Sequence, residues 1–212
     1  MFIRCKNKVV ESSQLILDGR YEDLLSHYKF NVEEALKKAN IPEDCFKKLH
    51  PSMSEQQYYN FMAAIGDQIS DPFTPIEIAT TNPIESFSPP IFAAYSSRNG
   101  DIFIKRLAKY KKLIGPLSFK IDEDSKQLSI TLTPSNQQYS LPSFLVLSEF
   151  AFLVGLLRKT TKEAISPLKI TMTSPVNDEQ VINFFGCKIE SGKSKTITFA
   201  KKDLQVNFIS YN

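Results

Sequence analysis

A chain of 212 residues with 42% hydrophobic residues can bury one core without disulfides or metal, so one domain is expected. The 26 basic and 23 acidic residues nearly cancel to +3, which leaves no strong electrostatic footprint for nucleic acid. The three cysteines (Cys5, Cys45 and Cys187) are widely spaced, which is typical of a reducing compartment. The first residues lack an apolar run, so we expect no signal peptide and a cytoplasmic protein.

Residues 1–71 are expected to form a helical N-terminal part. Asn31 precedes VEEALKKAN as a helix N-cap, and Pro42 marks the end of that helix. A second helix begins at Ser54, where Gln57 occupies the third position of a capping box. Both predictions rest on the match between a capping side chain and the unpaired amides of a first helical turn.

The segment 72–97 is rich in both proline and apolar residues. Its prolines interrupt each possible helix, so we expect extended or turn structure. It is too apolar for a free linker, so it should be ordered and packed. The apolar residues are Ile76, Ile78, Ile84, Phe87, Ile91 and Phe92.

A helix is predicted after Asn99 or Asp101, either of which can cap it, and Gly115-Pro116 ends it. Its apolar stripe comprises Phe103, Leu107, Tyr110 and Ile114. The opposite face carries Lys105, Lys109 and Lys112, with Lys111 nearby. That basic face either holds phosphates or an acidic partner, or is solvated surface.

The rest of the chain mixes strands and helices. Alternating apolar residues predict a hairpin over 117–132, and Ser143 opens a long apolar helix that runs through Arg158 and Lys159. A strand, a helix capped by Asn177 and ended by Gly186, and a last strand follow. The fold class is therefore α+β, with residues 72–212 as an α+β core that packs with the N-terminal part as one unit.

The sequence lacks the common catalytic and metal-binding motifs. Ser191-Gly192-Lys193-Ser194 resembles the end of a phosphate-binding loop, but the required first glycine is replaced by Cys187, and a strand pattern follows. His27 and His50 have no metal-ligand spacing. We therefore expect no enzyme, no metal and no cofactor. The apolar run 144–157 is too short to span a membrane, so no membrane contact is expected.

Glu149 lies in that apolar run, with apolar neighbours one helical turn away in each direction. A carboxylate on such a face must find a partner, because leaving it buried and unpaired costs several kcal/mol. Two interpretations stay open. Glu149 is a polar anchor in an apolar ligand cavity, or it forms an ion pair with an arginine or lysine elsewhere.

Several stretches resemble the N-terminal sensing domain found in one branch of the AraC-type transcription regulators. They are FSPPIFAAYSSRNGDIFIKRLAKYKKLIGPL, SEFAFLVGLLRKTTKEAISPLKI, TSPVNDEQVINFFGCKI and KTITFAKKDLQVNF, and they occur in the family's order. The most specific features are Pro89-Pro90, the Tyr110 to Pro116 block and Phe184-Phe185-Gly186. The first 70 residues match as a helical region, where Asn40 replaces the glycine of an Ala-Gly-Leu-Pro-like turn.

This resemblance implies a regulator in which the sensing domain precedes a module with two helix-turn-helix motifs. Those motifs are not in this sequence, so we expect an isolated sensing domain that reaches DNA only through the missing C-terminal module. The family's arabinose-sensing namesake is a cupin-type barrel. We do not expect a cupin here, because the sequence shows at least five helical patterns.

The leading hypothesis is a domain that binds a small-molecule effector, forms a homodimer and signals to the DNA-binding module. The candidate ligand-binding residues are Glu149, Phe150, Phe152, Arg106 and Tyr110. The alternative is a ligand-free protein-interaction and dimerisation module. An enclosed apolar cavity of about 300 Å³ or more favours sensing, and a solid core with an exposed apolar patch favours interaction.

Overall fold

A computed structural model of the chain describes residues 15–16, 25–48, 52–81 and 89–209. The predictions made for Cys5, His50, Ile84 and Phe87 lie outside these residues, as does the N-terminal segment.

The N-terminal part is mainly helical. Strand β1 (Leu15–Ile16) pairs antiparallel with β2 (Ser52–Met53). Helix α1 spans Val32–Lys38, a 3-10 turn spans Cys45–Lys47, and α2 spans Glu55–Gly66. The α1 and α2 helices contact each other, and α2 also contacts the long helix α6 described below.

Four predicted helix caps can be compared with the structure. Asn31 accepts a hydrogen bond from the Glu34 amide, Ser54 forms the full capping box, and Asn99 caps the next long helix. The cap at Asn177 is wrong, because Asp178 accepts the bond from the Gln180 amide. The Asn177 side chain instead bonds the backbone of Ile189 through both its oxygen and its nitrogen, so it joins a strand to a helix start.

The expectation of extended structure in the proline-rich segment is wrong. Helix α3 spans Thr74–Thr81 and α4 spans Pro89–Tyr95. Their prolines occupy the first helical turn, where the missing N–H has no intrahelical acceptor and the fixed φ favours the helix. The expectation that this segment packs is confirmed at Ile76 and Ile91, which are buried, whereas Phe92 is exposed.

Two long helices form the centre of the molecule. Helix α5 spans Gly100–Ile114 and α6 spans Ser143–Thr161. The α6 helix packs closely on α3, where a Cβ on Gly155 would lie 2.7 Å from the Thr80 Cγ2. The α5 helix contacts α4 on one side and the first strand of the sheet on another.

A five-stranded sheet completes the fold. Its strands are β3 (Leu117–Glu123), β4 (Gln127–Pro134), β5 (Lys169–Met172), β6 (Ile189–Ser191) and β7 (Thr196–Ala200). The spatial order is β3-β4-β7-β5-β6, and only β5 with β6 is parallel. Helix α7 (Glu179–Phe185) connects β5 to β6, and α8 (Lys201–Leu204) follows β7. Strand β6 and helix α8 are not among the elements predicted from the sequence.

The two faces of the sheet differ in chemistry. The inward residues are apolar and buried, as at Ile130 and Ile197. The other face carries hydroxyl side chains: Ser129 bonds Thr198 at 2.9 Å, and Thr131 bonds Thr196 at 3.0 Å. This alternation follows from the period of two along a strand.

The described C-terminal residues pack against the start of α5. The Phe208 amide donates to the Arg98 carbonyl at 2.8 Å, and Asn207 forms an isolated β-bridge with Asn99. The Phe208 ring is buried, with its centroid 6.0 Å from that of Phe103. After the last strand, the chain therefore packs against residues at the start of α5.

The fold class prediction is confirmed: the structure is α+β, and its open sheet is not a cupin barrel. One hydrophobic core includes residues from both predicted parts, for example Phe61 of α2 and Phe199 of β7. The Ser191 to Ser194 stretch leads into β7, which excludes a phosphate loop at a helix start. Within the described ranges, no helix is both long and apolar enough to cross a bilayer.

Gly186 ends α7 in the left-handed conformation with φ +75°, and a Cβ there would lie 2.8 Å from the Ser166 Oγ. Gly186→Ala is therefore expected to lower the free energy of unfolding by about 1–2 kcal/mol. Gly115→Ala is the matched control, because the nearest atom that a Cβ there meets is the Tyr58 hydroxyl, at an ordinary contact distance of 3.6 Å. Urea titration of both variants measures the difference, and equal stabilities would contradict the prediction.

Candidate functional site

Glu149 is in a buried ion pair with Lys111. The Lys111 Nζ lies 2.7 Å and 2.6 Å from the two carboxylate oxygens, and the side chains are 3% and 15% exposed. The Lys111 ammonium also lies 5.0 Å from the ring centroid of Phe119 on β3. The pair thus joins α5, α6 and the sheet, in the arrangement that the second interpretation of Glu149 describes.

Lys111 is next to the basic face of α5 in the sequence, but the structure buries its side chain. It lies four residues after Leu107 and eight after Phe103, both buried, so it belongs to the inward stripe of the helix. A lysine at this helical spacing from core residues was the signal that could have identified the partner of Glu149.

The five candidate ligand-binding residues are not brought together. Phe150 and Phe152 are buried in the core. Arg106 lies on the exposed side of α5, where it donates to the Ser97 hydroxyl at 3.3 Å. Tyr110 is half-buried, with the Lys109 Nζ 5.6 Å from its ring centroid. Their role in ligand binding stays a prediction.

One lysine of the basic face of α5, Lys105, forms ion pairs. The Lys105 Nζ lies 3.0 Å from carboxylate oxygens of both Asp101 and Glu123. Glu123 also accepts from Lys201 at 2.7 Å, and the two lysines hold the pKa of its carboxyl below the usual value. This network ties the end of β3 to α5 and α8.

An open cleft of about 350 Å³ lies between α2 and the loop that precedes α6. The rings of Tyr59 and Tyr139 lie 5.5 Å apart between centroids. The remaining lining residues, mostly small or uncharged polar, are Gln56, Asn60, Ala63, Gln138, Ser140, Leu141 and Pro142. No local sequence pattern predicts this cleft, because its walls come from segments about 80 residues apart.

The wall of the cleft is held by hydrogen bonds around Tyr59. The Tyr59 hydroxyl donates to the Pro116 carbonyl and lies 3.0 Å from the Glu55 Oε1. Glu55 also accepts from the Asn136 amide at 3.0 Å. Burial raises the pKa of the Tyr59 phenol, so this group is a neutral donor at physiological pH. The network connects α2, the start of the sheet and the cleft loop.

A second surface depression, of about 510 Å³, lies at the end of α1 and is lined by Lys37, Asn40, Ile41, Pro42, Glu43 and Asp44. Neither depression includes any of the five candidate residues. Within the described part of the chain, no group of three or more histidine, cysteine, aspartate or glutamate side chains could hold a metal ion.

The comparisons with known proteins define the class of this domain. The family model for the arabinose-binding domain of AraC transcription regulators, an N-terminal domain, matches residues 30–208. Because this match covers most of the chain, the protein belongs to that family. The resemblance drawn from the sequence is therefore confirmed.

One similar solved structure is the transcriptional regulator CdpR from Pseudomonas aeruginosa, at a TM-score of 0.58 and 10% sequence identity. The similarity covers 92% of this chain and 59% of that one, and at this identity it shows a common fold. The chain thus spans little more than half the length of that regulator. No curated protein matches the sequence.

Proposed function

We propose that this domain senses a small-molecule effector, forms a homodimer and transmits its ligand state to a DNA-binding module in a transcription regulator. The observation that carries the proposal is the family match over residues 30–208. We expect the domain to act in the cytoplasm, without a cofactor and without catalysis. DNA contact would come from helix-turn-helix motifs outside this sequence.

We place the effector in the cleft between α2 and the 138–142 loop. Its volume of about 350 Å³ suits a small ligand. Two tyrosine rings offer apolar surface, and the side chains of Gln56, Asn60 and Gln138 offer donors and acceptors. Such a lining favours an uncharged, hydrogen-bonding ligand.

The response to the effector would pass through Tyr59. This side chain lines the cleft and also bonds Pro116, which lies just after the end of α5. Lys111 lies in the last turn of that helix, and its partner Glu149 lies on α6. A buried ion pair has one favourable geometry, so a small displacement of α5 changes its energy strongly. We propose that the ion pair has an intact and a displaced arrangement, and that the effector changes the equilibrium between them.

A ligand-free interaction module is the second candidate. The observation that favours it is the packing of Phe150 and Phe152, which are buried rather than arranged around a cavity. Both described depressions are open to solvent. The two candidates differ in whether any small molecule changes the stability of the domain.

Thermal unfolding in the presence of a metabolite panel tests the proposal. An effector at a hundred times its dissociation constant adds about 2.7 kcal/mol of stability, which raises the Tm of a domain of this size by about 5–10 °C. Substitutions in the cleft, Gln56→Ala and Asn60→Ala, are expected to remove most of that shift. Gln205→Ala changes an exposed amide outside the cleft and is the matched control.

The outcomes separate the parts of the proposal. A panel without any stabilising compound would argue for the interaction module. A compound that stabilises the cleft variants as much as the control would leave sensing in place and move the effector away from the cleft.

A further inference from the structure

Strand β3 is an edge of the sheet. It pairs with β4 on one side, and among the residues that the structure describes no strand pairs with its other side, as the order β3-β4-β7-β5-β6 shows. It is seven residues long, whereas β6 at the opposite edge has three. An unpaired edge of this length presents a row of N–H and C=O groups that a further strand can pair with.

The hairpin turn determines which backbone groups point outward. The Asp124 amide donates to the Gln127 carbonyl, so residues 124 and 127 form the last hydrogen-bonded pair before the turn. Hydrogen-bonded and non-bonded pairs alternate along an antiparallel ladder, so 118, 120 and 122 bond to β4. The backbone groups of Phe119, Ile121 and Glu123 therefore face outward. Among the described residues, they form no backbone hydrogen bond to another segment.

We infer that a second copy of this chain pairs antiparallel along β3, with the two-fold axis at Ile121. In this register Lys120 of each copy lies directly opposite Asp122 of the other, on the hydroxyl face of the sheet. Both side chains are exposed, and neither is in an ion pair within the described ranges. Opposite charges in directly facing positions stabilise a strand pair.

The charges select this register over its neighbours. The outward backbone groups allow shifts of two residues, because only 119, 121 and 123 can donate and accept across the new interface. A shift in one direction places Lys120 opposite the second Lys120, and the other places Asp122 opposite the second Asp122. The first alternative brings two lysines together, which destabilises the pair. The second brings two aspartates together and places Lys120 opposite Asp124, which lies beyond the end of β3 and already accepts the amides of Lys126 and Gln127.

On the inner face, this register brings the two Ile121 side chains together at the axis and places Phe119 opposite Glu123 on each side of it. Ile121 is half-buried at the edge of the core, and it would pack against the second Ile121. About six backbone hydrogen bonds would form, and the two sheets would become one. The interface is small compared with the standard of about 1,600 Å², so we expect a dissociation constant in the micromolar range, about 1–100 µM. This inference rests on the homodimer of the proposed function.

Charge reversal tests the interface by sedimentation equilibrium. Lys120→Glu places two acidic residues opposite each other, and Asp122→Lys places two lysines opposite each other. Each variant is expected to weaken the dimer roughly tenfold or more, and the double variant K120E/D122K is expected to restore it. Thermal unfolding checks that each variant is folded. Restoration by the double variant is not expected if the charges merely protect a monomer's edge.

Mixed cysteine variants give an independent test. Positions 120 and 122 face each other as a non-bonded pair, with Cα atoms about 4.5 Å apart, within the range of a disulfide. A mixture of Lys120→Cys and Asp122→Cys chains should cross-link on mild oxidation far more than either variant alone.

The results distinguish failure of the interface from failure of the proposed function. A wild-type dimer that neither charge reversal weakens would overturn the β3 interface, while dimerisation would stand. A wild-type chain that is monomeric at 100 µM, about the upper end of the expected range, would overturn both the interface and dimerisation. Effector stabilisation measured on the K120E chain would still report on sensing by itself.

Discussion

Glu149→Gln is expected to lower the free energy of unfolding by about 3 kcal/mol, because it leaves the Lys111 ammonium buried without its counter-charge. The Lys111 side chain is only 3% exposed, so water cannot replace the lost carboxylate without a rearrangement. The Glu149 side chain is 15% exposed, which places the expected loss at the low end of the range for broken buried pairs. Urea unfolding followed by circular dichroism measures it.

The control for this prediction is Glu190→Gln. Glu190 pairs with Lys169 at the same short distance of 2.6 Å, but both side chains are more than half exposed. Its loss should cost less than about 1 kcal/mol, since solvent screens exposed pairs. The double variant K111M/E149L should recover much of the lost stability. If Glu149→Gln kept full stability but lost the effector response, Glu149 would be a ligand anchor instead.

Phe150→Ala is expected to cost about 4 kcal/mol, through lost apolar burial and the cavity left behind. Phe150 is fully buried in the centre of α6, whereas Phe92 of α4 is 60% exposed. Phe92→Ala is therefore the control, with an expected change within about 0.5 kcal/mol. Chemical denaturation of both variants gives the comparison.

This comparison also tests the prediction that Phe150 lines a ligand site. A side chain that lines an existing cavity has few packing contacts on the cavity side, so its truncation to alanine costs little stability. A Phe150→Ala protein as stable as Phe92→Ala would therefore show that the surroundings of Phe150 are loose and favour the ligand-binding role.

The features predicted correctly from the sequence depend on neighbours in the chain. The capping box at Ser54 and the 117–132 hairpin each involve residues within about 15 positions. Pro75 and Pro89 do not exclude helices, because a proline breaks a helix only beyond its first turn. The prediction of extended structure failed because these prolines lie at helix starts, where the helix tolerates them.

The functional features depend on contacts that no local pattern contains. Lys111 and Glu149 are 38 positions apart, and Tyr59 and Pro116 are 57 apart. The sequence predicted that Glu149 needs a partner, because a buried carboxylate must be compensated. It did not identify the partner, because the choice among 26 basic residues depends on how two helices pack.

The last described residues set a limit on how far the folded unit can be shortened. A chain ending after α8 would keep all five strands of the larger sheet, yet it would expose the Phe103 ring where Phe208 now covers it. It would also lose the hydrogen bond to the Arg98 carbonyl and the β-bridge to Asn99, both at the start of α5. Residues 205–209 therefore belong to the folded unit rather than to a tether, because the buried Phe208 anchors them beside α5.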